Sequence, residues 1–318
     1  MRNAFLILSG ALTIAPSFVF AQSDYPNRPI RLIVAFAPGS PTDLVARVVG
    51  QNLGDAWGKA VVVENRPGAG GIIASQTAKR SNPDGYTILV TSTSIAINVS
   101  LHTDPGYKMS DFAAIAQGPV TPNLITVHPS VKATTLQELI ALAKTTPMSY
   151  ASSGAGTAPN LNMEQLFTVR SKVNITHVPM GPPQAVSAVT GNQVPIAATA
   201  MATAVPTVKA GRIRAIAVTS LARSTILPDV ATVAESGFPG FSDRTWFSFF
   251  APAGTPPAIV NKLNAEINRI LQSPESRSRL DTLSLEFVPR TPAEFTTALK
   301  AEVVSYAKMV KDAGLKAD

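Results

Sequence analysis

Short apolar runs alternate with helical patterns along most of this chain, and that alternation restricts the fold more than any other feature. Residues 30–37 form a nearly continuous apolar run that ends in a turn at 38–39, as expected of a strand buried on both faces. A helical spacing of apolar residues follows over 44–53, and strands are predicted at 61–63 and 86–91. Strands joined by helices through short loops predict an α/β fold with a mostly parallel sheet and helices on both faces.

The order of strand, small-residue turn and helix occurs twice, at 33–49 and at 148–166. Because 318 residues exceed what one small core usually holds, this repetition predicts two α/β lobes of similar size. The remaining strands are predicted at 123–127, 148–152, 175–178, 194–198 and 213–218, and the remaining helices at 72–79, 136–144, 160–169, 184–190, 259–271 and 292–310.

Residues 1–21 are predicted to be a secretory signal peptide. Arg2 supplies one positive charge and residues 4–21 carry none. This segment is too short and too interrupted for a membrane span, and small or moderate side chains occupy the −3 and −1 positions of a cleavage site. We therefore expect cleavage after Ala21 and a mature protein in the periplasm or the medium.

The composition excludes several classes of site. The chain has no cysteine, and its three histidines, His102, His128 and His177, lie far apart in sequence. Disulfides, thiolate metal sites and a cysteine nucleophile are therefore excluded, and we expect neither a metal nor a cofactor. The net charge of +7 comes from scattered basic residues, so no nucleic-acid surface is predicted. That charge serves either weak steering of anions or solubility.

Two small-residue turns, at 38–43 and 152–157, are the candidate binding elements. Each follows a predicted strand and precedes a predicted helix, where backbone N–H groups, hydroxyls and the helix dipole suit a small anion. The alternative is that these residues only turn the chain and cap the helices. Asp43 and Arg47 are interpreted as a helical ion pair, and the aromatic cluster at 246–250 as a strand that packs in the core.

Several further segments, in one order along residues 25–316, resemble a known family. The chain is similar to the Bug-type, TctC-like substrate receptors of tripartite tricarboxylate transporters. The segments that carry this resemblance are YPNRPIRLIV at 25–34, ENRPGAGG at 64–71, PDGYT at 83–87, KAGRIRA at 209–215, LPDV at 227–230 and PAGTP at 252–256.

The resemblance implies a two-lobed periplasmic-binding-protein fold of the Venus flytrap type. The chain would cross between the lobes twice, near 118–123 and 243–250. The first lobe would then contain 22–120 and 246–318, and the second lobe 121–245.

The resemblance also implies that a carboxylate-bearing ligand lies between the lobes, held by backbone N–H groups, hydroxyls and water. This sequence departs from the family pattern at 40–41 and at 179–183, where proline replaces N–H donors and the usual aromatic and basic residues are missing. The residues implied as ligand-binding are Gly39, Ser40, Thr42, Asp43, Ser92, Thr93, Ser153, Gly154, Gly156, Thr157, Met180, Gly181, Ala200 and Met201.

The resulting hypothesis is a monomeric solute-binding receptor, not an enzyme, that captures a small organic carboxylate and delivers it to membrane transporter subunits. One alternative is a receptor of the same fold that docks on a signalling protein. The other is a secreted hydrolase that uses Ser153 or Ser40, which would need a base within hydrogen-bond reach.

Overall fold

Parallel strands flanked by helices begin the chain in the computed structural model, which describes residues 25–315. The signal peptide predicted at 1–21 lies outside the described residues. Strand β1 pairs in parallel with both β2 and β3. These first elements are β1 Ile30–Val34, α1 Pro41–Trp57, β2 Val61–Asn65, α2 Ile72–Lys79, β3 Thr87–Ser92 and α3 Ser94–Leu101, with 3-10 turns at Ala69–Gly71 and Met109–Asp111.

The long strand β4, Phe112–Val127, changes partners along its length. Its residues 112–122 pair with β9, Arg244–Pro252, whereas residues 123–127 pair with β7 and β8. The change occurs between Pro122 and Asn123. Strand β4 therefore belongs to both halves of the sheet.

The second half of the sheet repeats the arrangement of the first, because β5 pairs in parallel with both β6 and β7. Its elements are α4 Leu136–Thr145, β5 Ser149–Ser152, α5 Ala158–Met163 with a π-helical continuation Glu164–Arg170, β6 Thr176–Pro179, α6 Pro182–Thr190, β7 Ile196–Ala200, α7 Met201–Lys209 and β8 Arg214–Val218.

The chain ends with helices that cover the first half: α8 Pro257–Gln272, α9 Pro274–Asp281 and α10 Pro292–Asp312. Across the described residues the strand order is β2-β1-β3-β9-β4-β7-β5-β6, with β8 also on β4. Every antiparallel pair in this order involves β4 or β9. We call the half with β1–β3 and β9 the first lobe, and the half with β5–β8 the second lobe.

The apolar core is divided in the same way. Two clusters, with Leu32 and Phe250 as members, surround the first-lobe strands. Two others, with Tyr150 and Val189 as members, surround the second-lobe strands. Ala158 and Leu161 of α5 belong to a first-lobe cluster although α5 follows β5. The two lobes are therefore packed against each other at α5.

Candidate functional site

The first-lobe turn is built around Asp43, which lies at the start of α1 and is 1% exposed. Ser40 caps α1 and accepts a hydrogen bond from the Asp43 backbone N–H at 3.3 Å, as N-cap serines do. The Asp43 carboxylate accepts from the Gly39 N–H, the Arg47 guanidinium and the Asn65 amide, each at 2.9 Å. The predicted Asp43–Arg47 ion pair is confirmed. The hydrogen bonds of the Asp43 carboxylate stabilise the turn.

The charge of Asp43 is stabilised by these donors. Burial alone would raise the pKa of its carboxyl, but the hydrogen bonds from Arg47, Gly39 and Asn65 outweigh burial and hold that pKa below its ordinary value. Asp43 is therefore ionised at neutral pH, and its carboxylate is occupied by donors from the first lobe.

The second-lobe turn follows β5 and is closed by its own hydrogen bonds. The Ser152 hydroxyl accepts from the Gly154 N–H at 3.1 Å. The Thr157 hydroxyl donates to the Gly154 carbonyl at 2.7 Å, and the Asn160 side chain accepts from the Gly156 N–H at 3.2 Å. Gly154 and Gly156 both have positive φ, at 118° and 71°, a conformation that glycine adopts without strain.

A partly buried chain of polar side chains contacts this turn. His177 Nε2 lies 2.7 Å from the Ser152 hydroxyl, and the His177 ring stacks on Tyr150 with centroids 4.8 Å apart. Asn160 donates to the Tyr150 hydroxyl at 2.8 Å, and Tyr150 donates to Glu164 at 2.6 Å. Burial lowers the pKa of His177, partly opposed by the negative charge of Glu164. His177 is therefore neutral at neutral pH.

We expect His177 to contribute a loss of stability as the pH falls below 6.5, the ordinary pKa of histidine. The buried Asp243, whose pKa is raised to about 7 by desolvation, contributes in the opposite direction. In this range the unfolded chain takes up a proton at His177 that the folded chain resists, so protonation favours unfolding. The measurement is the melting temperature at pH 7.5 and 5.5. On going from pH 7.5 to 5.5, the melting temperature of His177→Gln should change less unfavourably than that of the wild type. Thr297→Val, which alters no ionisable group, should behave as the wild type. Equal changes in both variants would contradict this role for His177.

The two lobes touch at glycines. A Cβ placed on Gly70 would lie 2.2 Å from the carbonyl oxygen of Ala155. A Cβ on Gly156 would overlap the side-chain oxygen of Asn98. Real Cβ atoms do not approach other atoms this closely, so this contact between the lobes requires glycine at these positions.

Between the closed lobes lies a small cavity, the inner chamber, with a volume of about 20 Å³, room for a single water molecule. Two of its hydroxyls, those of Thr93 and Ser153, are buried and have no hydrogen-bond partner among the described residues. They come from opposite lobes. The inner chamber is lined by Phe36, Pro41, Thr42, Ser92, Thr93, Ser153, Thr157, Ala158, Pro159, Pro182, Ala200, Thr245 and Phe247.

A larger space, the outer chamber, shares Phe36 and Ser153 with the inner one and has a volume of about 540 Å³. Within residues 25–315, no ionisable side chain lines either chamber. The outer chamber is lined by Phe36, Ala37, Pro67, Gly68, Ala69, Gly70, Gly71, Ser153, Gly154, Ala155, Pro179, Met180, Gly181 and Gln184.

The candidate residues from the sequence are divided between these positions. The inner chamber is lined by Thr42, Ser92, Thr93, Ser153, Thr157 and Ala200, and the outer chamber by Ser153, Gly154, Met180 and Gly181. Gly39, Ser40, Asp43, Gly156 and Met201 line neither chamber. The hydrogen bond of Ser40 stays within its turn, whereas Asp43 also bonds to Arg47 and Asn65, and Gly156 donates to Asn160 of α5.

Sequence reasoning missed the apolar lining of both chambers. Phe36 ends the first apolar run and Phe247 lies in the cluster interpreted as core, so hydrophobicity alone gave no reason to separate them from the core. The segment 67–71 belongs to ENRPGAGG, one of the segments that carry the family resemblance, but it was not among the predicted binding residues. Its signal was its position after a strand, the same position that marked the other two turns.

Comparison with known proteins decides the family. The model of the tripartite tricarboxylate transporter family receptor, TctC, matches residues 45–315. This chain belongs to that receptor family. The receptor is 35% identical to Protein BugT of Bordetella pertussis over 92% of this chain and 91% of BugT. It is 33% identical to the UPF0065 protein in the tcbD-tcbE intergenic region of Pseudomonas sp. strain P51, over 98% of this chain and 95% of that protein.

Solved structures confirm the two-lobed periplasmic-binding-protein fold of the receptor. Periplasmic binding protein BugD superimposes with a TM-score of 0.87 at 33% identity, over 92% of this chain and 99% of BugD. R. palustris Rpa4515 with adipate gives 0.88 at 30% identity, over 92% and 99%. MatC from Rhodopseudomonas palustris with bound malate gives 0.85 at 29%, over 90% and 100%. The family and these neighbours are binding proteins rather than enzymes.

Two classes of feature are absent from the part of the receptor that the structure describes. No group of three or more His, Cys, Asp or Glu side chains there is arranged to hold a metal ion. No helix there is long and apolar enough to cross a membrane.

Proposed function

We propose that this receptor captures a small organic carboxylate between its lobes for a tripartite tricarboxylate transporter. The observation that carries the proposal is the pair of buried hydroxyls, Thr93 and Ser153, which face one cavity from opposite lobes without partners. A carboxylate oxygen accepts hydrogen bonds from both, and each bond joins a different lobe to the ligand. The adipate and malate in related structures support this ligand class.

Binding is coupled to lobe closure. A ligand that bonds to both lobes has more contacts in the closed state, so it shifts the population toward closure. The strands β4 and β9, which run along both lobes, serve as the hinge. This assignment divides the receptor into a first lobe of 22–120 with 246–318 and a second lobe of 121–245, supported by the change of strand pairing after Pro122.

The receptor works in the periplasm as a monomer, needs no cofactor, and hands its ligand to membrane subunits of the transporter. The family description and the periplasmic origin of BugD support this location and partner. The sequence pattern of residues 1–21 supports export and cleavage after Ala21.

The receptor carries out no hydrolysis. Neither Ser40 nor Ser153 pairs with a base among the described residues, because the Ser40 hydroxyl accepts from the Asp43 N–H and the Ser153 hydroxyl has no hydrogen-bond partner there. Histidines contact Ser130 and Ser152, and Ser152, which lies beside His177, is fully buried. Its hydroxyl also bonds to the Gly154 backbone, so it serves the turn and has no path to a substrate. A nucleophile needs both a base and an accessible substrate position. A panel of esters and amides should show no turnover.

The direct test is isothermal titration of the mature chain, after refolding free of bound ligand, against a panel of organic acids and their matched amides. We expect saturable binding of at least one acid and none of the corresponding amide. Absence of binding by every acid would contradict the proposal. Mass spectrometry of small molecules released on denaturation identifies the natural ligand.

Ser153→Ala and Thr93→Val should each weaken binding of the acid found by titration by about 1–3 kcal/mol, because each removes one hydrogen bond to a charged group. Each change removes one hydroxyl and little volume. Affinity is measured by titration, and Thr297→Val, on the exposed face of α10, serves as the control. Affinities equal to the control would exclude these hydroxyls from the ligand site.

A further inference from the structure

Basic residues that lie far apart in sequence are brought together at one end of the second lobe. Strands β5, β6 and β7 are parallel, and β4 runs antiparallel to β7 and β8. The starts of β5, β6, β7 and β8 therefore lie beside the end of β4, where Val127 is aligned with both Ile196 and Arg214. The ligand chambers lie at the opposite edge of this sheet, where Ser153 and Gly154 follow β5.

The edge at the strand starts is called the basic face, and it consists of Arg214 with the connections 128–135, 144–148, 171–175, 191–195 and 209–213. These connections contain no Asp or Glu. Arg214 donates to the backbone carbonyls of Val131 and Ala133 at 3.1 Å and 3.2 Å, which fixes the first connection beside β8. The exposed cations of the basic face are Lys132, Lys144, Lys172, Lys209 and Arg212.

The charge of the basic face is not neutralised by ion pairs. Among residues 25–315, none of its cations is paired with a carboxylate. The carboxylate nearest along the chain is that of Glu138, which accepts from the backbone N–H groups of Thr134 and Thr135 in the cap of α4. The basic face therefore presents six positive charges to its surroundings.

The corresponding edge of the first lobe, at the starts of β1, β2 and β3, has a different charge pattern. Asp84 there pairs with Arg28 at 2.6 Å, and Asp111 pairs with Lys79 at 2.9 Å. The first-lobe edge thus combines both signs of charge, whereas the basic face carries one. The difference makes the basic face a candidate surface for an anionic partner.

The basic face lacks the apolar centre of a typical protein–protein interface. Its cations are instead spread across the ends of five strands, a width of about 19 Å at the usual strand spacing. Such an array suits a surface of repeated negative charges, and anionic phospholipid headgroups attract lysine and arginine in this way. The large apolar side chains exposed among the described residues all lie outside the basic face: Leu44, Val62, Ile73, Leu221, Val288 and Val304.

We propose that the basic face binds anionic phospholipid at a membrane surface. Because the ligand chambers lie at the opposite edge of the second lobe, a receptor held in this way keeps its cleft clear of the lipid. Attachment confines the receptor to the membrane that contains its transporter and so shortens the search for it. This proposal goes beyond carboxylate capture and does not depend on it.

Co-sedimentation of the mature chain with vesicles tests the proposal. Vesicles of phosphatidylglycerol and phosphatidylcholine at a ratio of about 1:2 should bind the receptor, and vesicles of phosphatidylcholine alone should not. Binding should weaken at least tenfold when the salt concentration is raised from about 0.05 M to about 0.5 M, because salt screens exposed charges. Absence of binding to the anionic vesicles at low salt would overturn the proposal.

Two triple variants of equal net charge separate the basic face from the overall charge of the chain. The first removes cations of the basic face: Lys132→Gln, Lys209→Gln and Arg212→Gln. The second removes exposed cations of the first lobe: Arg80→Gln, Lys300→Gln and Lys311→Gln. The first variant should bind anionic vesicles at least tenfold more weakly than the wild type, and the second within about threefold. Equal losses in the two variants would mean that net charge alone drives binding, and would overturn the proposal.

Two controls complete the test. Both variants should keep the melting temperature of the wild type, because none of the six side chains replaced is in an ion pair. Binding to immobilised polyglutamate without binding to anionic vesicles would identify an acidic protein segment as the partner and overturn the proposal. Loss of vesicle binding leaves carboxylate capture intact, and failure of every acid to bind leaves the membrane proposal intact.

Discussion

Gly70→Ala is expected to reduce ligand affinity at least a hundredfold while leaving the fold intact. The added Cβ would lie 2.2 Å from the Ala155 carbonyl oxygen across the cleft. Because that contact is with backbone and not with the end of a flexible side chain, the lobes must separate to relieve it. The closed state is then lost, and with it the bonds that the ligand makes to the second lobe.

The control for this change is Gly58→Ala. Gly58 has almost the same backbone conformation as Gly70, with φ of 61° against 58°, but a Cβ there meets nothing within 4 Å. Both variants carry the same left-handed strain, so only the contact between lobes distinguishes them. Titration measures affinity, and small-angle scattering with ligand measures closure. If Gly70→Ala closes and binds like Gly58→Ala, the lobes do not close through this contact.

The regular elements of the fold were predictable because their signals are local. Helix α2 has the predicted bounds, Ile72–Lys79, and β1 begins at the predicted Ile30. Helix α4 begins at the predicted Leu136; its cap, for which the sequence allows Thr134 or Thr135, is Thr135, and Glu138 completes a capping box. In each case adjacent residues carry the information, either as an apolar run or as a cap.

Elements that depend on long-range contacts were missed or cut short. Only residues 123–127 of β4 were predicted, because Gly118, Pro119 and Pro122 interrupt the pattern of the strand. The structure accommodates the interruption with irregular pairing between Gln117 and Val120. Helix α3 was missed because most of its residues are buried, which removes the amphipathic period, and α7 was missed because it contains Pro206.

The site was predictable as turns but not as a cavity. Both turns lie where the strand-to-helix order placed them, and they line the chambers. The orientation of single side chains was not predictable. Asp43 and Gly156 appeared equivalent to Thr42 and Ser153 in sequence. In the structure, Asp43 bonds to Gly39 and Asn65 and Gly156 bonds to Asn160, whereas Thr42 and Ser153 line the inner chamber. Hydrogen bonds with distant residues such as Asn65 decide this difference.

The second large effect is expected for Asp43→Ala, which should lower the free energy of unfolding by about 2–4 kcal/mol. The change removes the acceptor of the Gly39 N–H, the Asn65 amide and the Arg47 guanidinium together. The carboxylate is almost fully buried, whereas the Arg47 side chain is 53% exposed. Most of the loss therefore comes from the Gly39 and Asn65 donors, which water does not fully replace, and ligand affinity falls as the turn loosens.

Arg47→Gln separates the two contributions, because it removes only the exposed partner and should cost less than about 1 kcal/mol. Urea unfolding at pH 7 measures both variants. The pKa of Asp43 is depressed in the folded state, so its contribution is complete above its ordinary value of 3.8 and is lost as the pH falls through the lower folded value. The difference between wild type and Asp43→Ala should shrink in that range. If both variants lowered the free energy of unfolding equally, the Asp43 carboxylate would stabilise the protein through its ion pair with Arg47 and not through its hydrogen bonds to Gly39 and Asn65.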